Sequence, residues 1–264
     1  MRQPAWAPIG WPPLAVGLVV LSWVILLAWD ASPYGRYLHH GDWTAAGFGA
    51  SICMAVPGGS WVVPGLVYGA GWLLMSAAMM LPTSAPLIRL FARMIAGRPD
   101  RVILQTLLIA GYLLVWAGFG VLAHLLDRGL HVALADWGWL AGRPYLPGAV
   151  ILALAGAFQF SALKYHCLDK CRAPLGFLTS YWHGPRPRLE TLQLGLAHGA
   201  YCVGCCWALM LMMFLVGLGS VGWMLLLGLI MAVEKNHPWG RRLAPPLGGT
   251  LLVIAGFVLL DAVV

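Results

Sequence analysis

Two short runs hold most of the ligand-type side chains in this 264-residue chain: His166-Cys167-Leu168-Asp169-Lys170-Cys171, and His198-Gly199-Ala200-Tyr201-Cys202-Val203-Gly204-Cys205-Cys206. Of the six cysteines only Cys53 lies outside them. Thiolate and imidazole are soft or borderline donors that suit Cu(I) or Zn(II), whereas Mg(II) or Ca(II) would want carboxylates, and Asp169 is the only acid in the first run. At about 100° per residue, a helix places His198, Cys202 and Cys205 on one narrow stripe bordered by Cys206 and Met213. Cys167 and Cys171, four apart, share a face if their helix continues that far. One loop separates the runs, so an antiparallel helix pair would aim both at one point. That offers more ligands than one tetrahedral ion needs: either Cys206 and His166 stand behind the others, or more than one ion is held.

Blander readings compete at each position. A lone Cys53 or His124 in an apolar helix reads as a packing residue or an interhelical hydrogen-bonder. A structural disulfide is disfavoured by the cytoplasmic placement derived below. Covalent haem is disfavoured because Cys202-Val203-Gly204-Cys205 is followed by Cys206 and Trp207 where a histidine would be needed. Met75 and Met79 share a face with Trp72, ahead of Met80 and Pro82; thioether suits Cu(I), but methionine is also a flexible core filler. Glu234, Lys235 and His237 read as a solvated helix end, with a polar approach to the site as the competing reading.

The elements that must position these residues follow from composition. Hydrophobic residues make up 61% of the chain and charged residues 9%, against about a quarter charged in a soluble domain. The expectation is an all-α, polytopic transmembrane bundle, one integral membrane domain over residues 1–264. A bilayer core about 30 Å thick needs roughly 20 apolar residues per helix. Candidate spans are Pro12 to Trp29, Trp61 to Leu81, Val102 to Leu125, Leu146 to Leu163, Leu192 to Val216, Val221 to Val233 and Ala244 to Leu260. The sixth is short, and Trp43 to Val56 is too weakly apolar to assign to a span, a re-entrant segment or the interface. Met1 to Trp11 is short and Pro-rich with no small-residue cleavage site after it, so the first helix is expected to stay.

The net charge of +7 does not point to nucleic acid, because Lys and Arg sit in short loops between apolar runs. They alternate from loop to loop. Arg89, Arg93, Arg98 and Arg101, then Lys164, Lys170, Arg172, Arg186 and Arg188, then Lys235, Arg241 and Arg242 fall on one side with Arg2; only Arg36, Arg128 and Arg143 fall on the other. The positive-inside rule makes the first side cytoplasmic, with the N-terminus inside and the C-terminus outside. Trp11, Trp29, Trp61, Trp137 and Trp139 fall at span ends as interface anchors, while Trp23, Trp116 and Trp207 are expected to pack between helices. No fixed-period repeat is visible.

In four stretches the chain resembles a bacterial family of predicted metal-binding integral membrane proteins, a domain of unknown function. They are Trp72-Leu73-Leu74-Met75-Ser76-Ala77-Ala78-Met79-Met80-Leu81-Pro82; Cys171-Arg172-Ala173-Pro174-Leu175-Gly176-Phe177-Leu178; Gly195 through Met210, with its His-Gly-x-x-Cys-x-x-Cys-Cys-Trp-Ala-Leu-Met signature; and Trp223-Met224 with Glu234-Lys235. The region between Asp30 and Trp61 is longer than the family pattern. The resemblance implies metal binding in a bacterial cytoplasmic membrane, with no substrate or reaction attached.

The leading functional expectation is a membrane protein that handles Cu(I), with zinc as the other candidate. Its ligands would come from His198, Cys202, Cys205, Cys206, Cys167, Cys171 and His166, supported by Met75 and Met79. Its partners would be membrane lipid and a metallochaperone or larger membrane complex. The first rival is an accessory or assembly subunit of such a complex, perhaps a copper oxidase; the second is a thiol–disulfide oxidoreductase using Cys202 and Cys205. Hydrolysis is not expected, since the spans carry no Ser-His-Asp or paired-carboxylate pattern, and no phosphate-binding Gly-Lys motif points to ATP-driven pumping.

Overall fold

The computed structural model describes residues 11–32, 62–135, 143, 145–213 and 220–261. The segment Trp43–Val56, Cys53, Trp61, Trp137 and Trp139 lie outside the described residues. Those described are helical throughout, with no strand: α1 (Pro13–Asp30), α2 (Val62–Thr83), α3 (Ala85–Met94), α4 (Arg101–Ala135), α5 (Leu146–Phe158), α6 (Ala162–Arg172), α7 (Pro174–Tyr181), α8 (Pro187–Leu211), α9 (Val221–Asn236), a 3-10 turn (Gly240–Leu243) and α10 (Ala244–Asp261). Proline opens α1, α3, α5, α7 and α8 within the first two positions, where its missing N–H removes no helical bond.

Among the described residues, four stretches are long and apolar enough to cross a membrane: α1, Arg101–Leu126 of α4, α8, and Gly240–Leu260; α2 with α3 and α5 with α6 raise the number to six if each bent pair is one span. The sixth expected span, α9, is indeed short at 16 residues. The fourth departs from the expected single helix, because the chain bends by 62° between α5 and α6. Ser161 starts α6 anew: its backbone is extended and its hydroxyl accepts from the Lys164 amide at 3.1 Å, an N-cap that separates apolar α5 from polar α6. A second bend of 73° follows Thr83, where Ser84 stands at the N-cap position of α3 without a side-chain capping bond. Beyond α3 the Arg98 guanidinium bonds Asp100 at 2.8 Å, which holds that carboxyl below its ordinary pKa range.

The helices close up where side chains are missing. A Cβ at Gly195 would collide with the Leu108 carbonyl, and one at Gly199 would come within 2.9 Å of Val115 Cβ, so this small-x-x-x-small pair lets α8 and α4 pack backbone to backbone. Trp116 is buried, as expected, with its carbonyl taking the Trp72 indole N–H at 3.0 Å. The outer surface is apolar instead: Val20, Leu122, Leu229 and Phe257 are each more than half exposed.

Candidate metal centre

Cys202 lies in mid-α8 and is fully buried; its sulfur is the hub of the centre. The Lys235 ammonium on α9 donates to it at 2.8 Å, and the Tyr112 hydroxyl on α4 lies 3.0 Å away. The same ammonium reaches the Thr83 hydroxyl at the end of α2 at 3.2 Å. Cys205 and Cys206 flank Cys202, and both thiols donate back to its carbonyl, at 3.1 and 2.9 Å. Cys206 faces α2, with its sulfur 4.0 Å from Met80 Sδ and 4.0 Å from the Lys235 nitrogen. Cys205 faces α6, where its thiol lies near that of Cys171. Cys167 completes this side by resting on Gly204: a Cβ there would sit 2.6 Å from its sulfur.

Cys167 and Cys171 on α6 thus come to the side of α8 that carries Gly204 and Cys205, while Cys206 faces α2, and all five cysteines are free thiols. The other candidates divide. His166 is exposed and tilts against Tyr201 with centroids 6.2 Å apart, and so stands outside the sulfur group. His198 is buried one turn before Cys202; its Nε2 pairs with the Ser84 hydroxyl at 3.1 Å, and its ring stacks on Tyr112. Met75 and Met79 are buried, but the thioether that reaches a cysteine is Met80.

Glu234 and Lys235 do not form a solvated helix end. Both are at least 94% buried, each with a specific partner. Lys235 serves Cys202, and Glu234 forms a 2.8 Å ion pair with Lys164, itself fully buried at the start of α6. Arg172 closes the same junction by donating to the carbonyls of Glu234, His237 and Pro238 at and just beyond the C-terminus of α9. A buried ion pair contributes little net stability, but breaking it is costly because the survivor stays buried. Lys164→Met alone is therefore expected to destabilise the protein by about 3–5 kcal/mol, read as a lower thermal midpoint in detergent. Lys164→Met combined with Glu234→Leu should recover most of that loss. An undiminished midpoint in the single variant would show the pair to be idle.

The donors suit a soft ion, and His198 Nδ1 is among the buried polar atoms that have no hydrogen-bond partner. Among the described residues, no three His, Cys, Asp or Glu side chains already stand at metal-holding distances. The reason is local, since Cys205 and Cys206 are turned to the Cys202 carbonyl and Lys235 occupies the Cys202 sulfur. Rotation about single Cα–Cβ bonds is what a metal would require of the first two.

Sequence reasoning passed over Tyr112 and Thr83, and noted Met80 without choosing it as a ligand. Their signal was a polar or sulfur side chain in an otherwise apolar helix, which does not by itself say what it faces. No curated protein and no solved structure matches the chain. The family model described as "PpoB2: Copper chaperone" matches residues 69–258, which span every residue of this centre, and the chain belongs to that family.

Proposed function

We propose that this protein is a multi-pass integral membrane protein that binds Cu(I) through the thiols grouped between α6 and α8 and passes it on. The observation that carries the reading is the convergence of Cys167, Cys171, Cys202, Cys205 and Cys206 from two helices, in a chain whose family is described as copper chaperones. Two-coordinate or three-coordinate thiolate binding suits Cu(I), and the absence of a carboxylate among the sulfurs disfavours hard ions. Cys205 with Cys171 forms one candidate pair, and Cys202 with Cys206 and Met80 a second. The near-complete burial of Cys202 and Cys205 counts against thiol–disulfide exchange, which needs a thiolate that a partner can reach.

Binding drives the handling of the ion without nucleotide. A soft ion arriving at the thiols exchanges one sulfur donor for another, and the thiol protons leave as Cu–S bonds form. The test is Cu(I) binding by the full chain purified in mild detergent, in competition with a chromophoric Cu(I) chelator. Retention against the chelator supports the reading. Zinc retained in its place, or no metal retained, would overturn it.

The exposed apolar exterior and the four to six crossing-length stretches support insertion in a bilayer. The Lys and Arg asymmetry supports a bacterial cytoplasmic membrane with the metal centre toward the cytoplasm. Reporter fusions at Gly97 and Gly184 are expected to read cytoplasmic and one after Val264 extracytoplasmic; a cytoplasmic C-terminus would break the seven-span count.

A further inference from the structure

Every buried methionine among the described residues lies on α2, on α9, or at the C-terminal end of α8 and the two residues after it. The apolar helices α1, α4, α5 and α10 hold none. Methionine as a general gap-filler would be spread over all of them. The three helices that have it are the ones that carry Cys202, Cys206, Met80, Thr83 and Lys235.

Their contacts fix the register. His198 with Ser84 and Cys206 with Met80 make α8 antiparallel to α2; Lys235 with Thr83, and Gly228 under Met79, make α9 parallel to α2. From the Cys202–Lys235 contact, α8 runs through Cys206 and Met210 to Met213 in steps of four, four and three. In the opposite chain direction α9 runs through Met231 and Leu227 to Met224 in the same steps, and all of these side chains are buried. Such spacing keeps each set on one stripe of its helix. Equal rise then puts Cys206 level with Met231, and Met213 level with Met224. On α2, Ser76 lies one turn beyond Met80 on the same stripe, with its hydroxyl buried and without a hydrogen-bond partner, and Met75 is buried beside it on the adjoining face. From Cys202 to Met213 the column is about 16 Å long at 1.5 Å per residue, roughly half of a 30 Å bilayer core.

We propose that this column is a path along which Cu(I) moves from the thiol centre toward the opposite side of the bundle. The inference rests on the Cu(I)-binding reading above and adds an activity to it. Thioethers are neutral, so each hop between them forms one Cu–S bond as another breaks, with copper remaining monovalent and no proton or electron transferred; the first hop, off the thiols, returns to them the protons that left when copper bound. They hold Cu(I) less firmly than thiolates do, which favours passage over trapping, as conduction through successive sites requires.

The test uses the full chain reconstituted in phosphatidylcholine vesicles, with Cu(I) held reduced outside and a Cu(I) chromophore inside. It is paired with Cu(I) retention by the same preparations in detergent. Met210→Leu, Met213→Leu and Met224→Leu combined conserve side-chain volume and are expected to slow vesicle loading about tenfold or more, since the soft donors are gone. Retention at the thiols should stay at the wild-type level. If the combined variant does not fold, Met213→Leu or Met224→Leu alone must still slow loading. Loading at the wild-type rate in the variants, or wild-type vesicles that stay empty while the detergent-purified chain retains copper, would overturn the path and leave the thiol centre standing. Failure of the wild-type chain to retain copper in detergent would instead remove the Cu(I) reading, and the path with it.

Discussion

Replacing Cys202 and Cys205 together by serine is expected to abolish Cu(I) binding by the purified chain while leaving its helix content at the wild-type level. The two residues reach both halves of the centre. Cys202 is the sulfur on which Lys235 and Tyr112 converge, and Cys205 is the link across to Cys171 on α6. Serine keeps nearly the same volume and can still hydrogen-bond, so the packing of α8 against α4 through Gly195 and Gly199 is untouched. Hydroxyl oxygen is a poor ligand for Cu(I), so the loss should be chemical and not structural. Copper affinity that survives in the double variant would mean that the thiols of α6 and Cys206 suffice without the hub, and helix loss would mean that the cysteines are packing residues after all. Circular dichroism together with chelator competition separates these results.

The second large effect is expected at Lys235. A bis-thiolate complex of Cu(I) carries one net negative charge, and among the described residues the Lys235 ammonium is the cationic nitrogen within hydrogen-bonding distance of Cys202, at 2.8 Å. Glu234 and Lys164 neutralise each other nearby and leave Lys235 free to balance the thiolates. Truncating one partner of a buried, hydrogen-bonded charge pair costs about 2–5 kcal/mol, and every 1.4 kcal/mol is about tenfold in affinity. Lys235→Met should therefore weaken Cu(I) binding by about a hundredfold or more, with Lys235→Arg retaining much of it. Tighter binding in Lys235→Met would reverse the assignment and make the ammonium a plug that copper has to displace.

These two residues mark what could and could not be read from the chain. Cys202 and Cys205 were legible as candidates because their relation is local: the helical repeat fixes which residues share a stripe. The crossing-length helices were legible for the same reason, since an apolar run of sufficient length needs no partner to be recognised. Lys235 was not legible as a buried residue. A Glu-Lys pair at the end of an apolar helix looks the same in sequence whether it meets water or protein, and the partners that bury it lie 33 and 152 residues away in the chain. Glu234 shows the same limit, with Lys164 at a separation of 70 residues.

The methionines show a finer version of this. Periodicity selects Met75 and Met79 as one face of α2, but it does not say which neighbouring helix meets that face. The sulfur in contact with Cys206 belongs to Met80, one residue further on. His166 and His198 were equivalent as letters beside cysteine, and only the fold separates an exposed ring against Tyr201 from a buried one against Ser84. The break before α6 was also hidden, because Ser161 becomes a helix start only when the polar run from Lys164 leaves the apolar layer that α5 occupies.

X-ray absorption at the copper edge of the purified chain loaded with Cu(I) reads whether sulfur from this cluster holds copper. The expected spectrum is that of a monovalent ion with a first shell of two or three sulfur atoms and little or no nitrogen or oxygen, lost in the Cys202→Ser/Cys205→Ser variant. A first shell dominated by nitrogen or oxygen, or the same sulfur shell persisting in that variant, would contradict it.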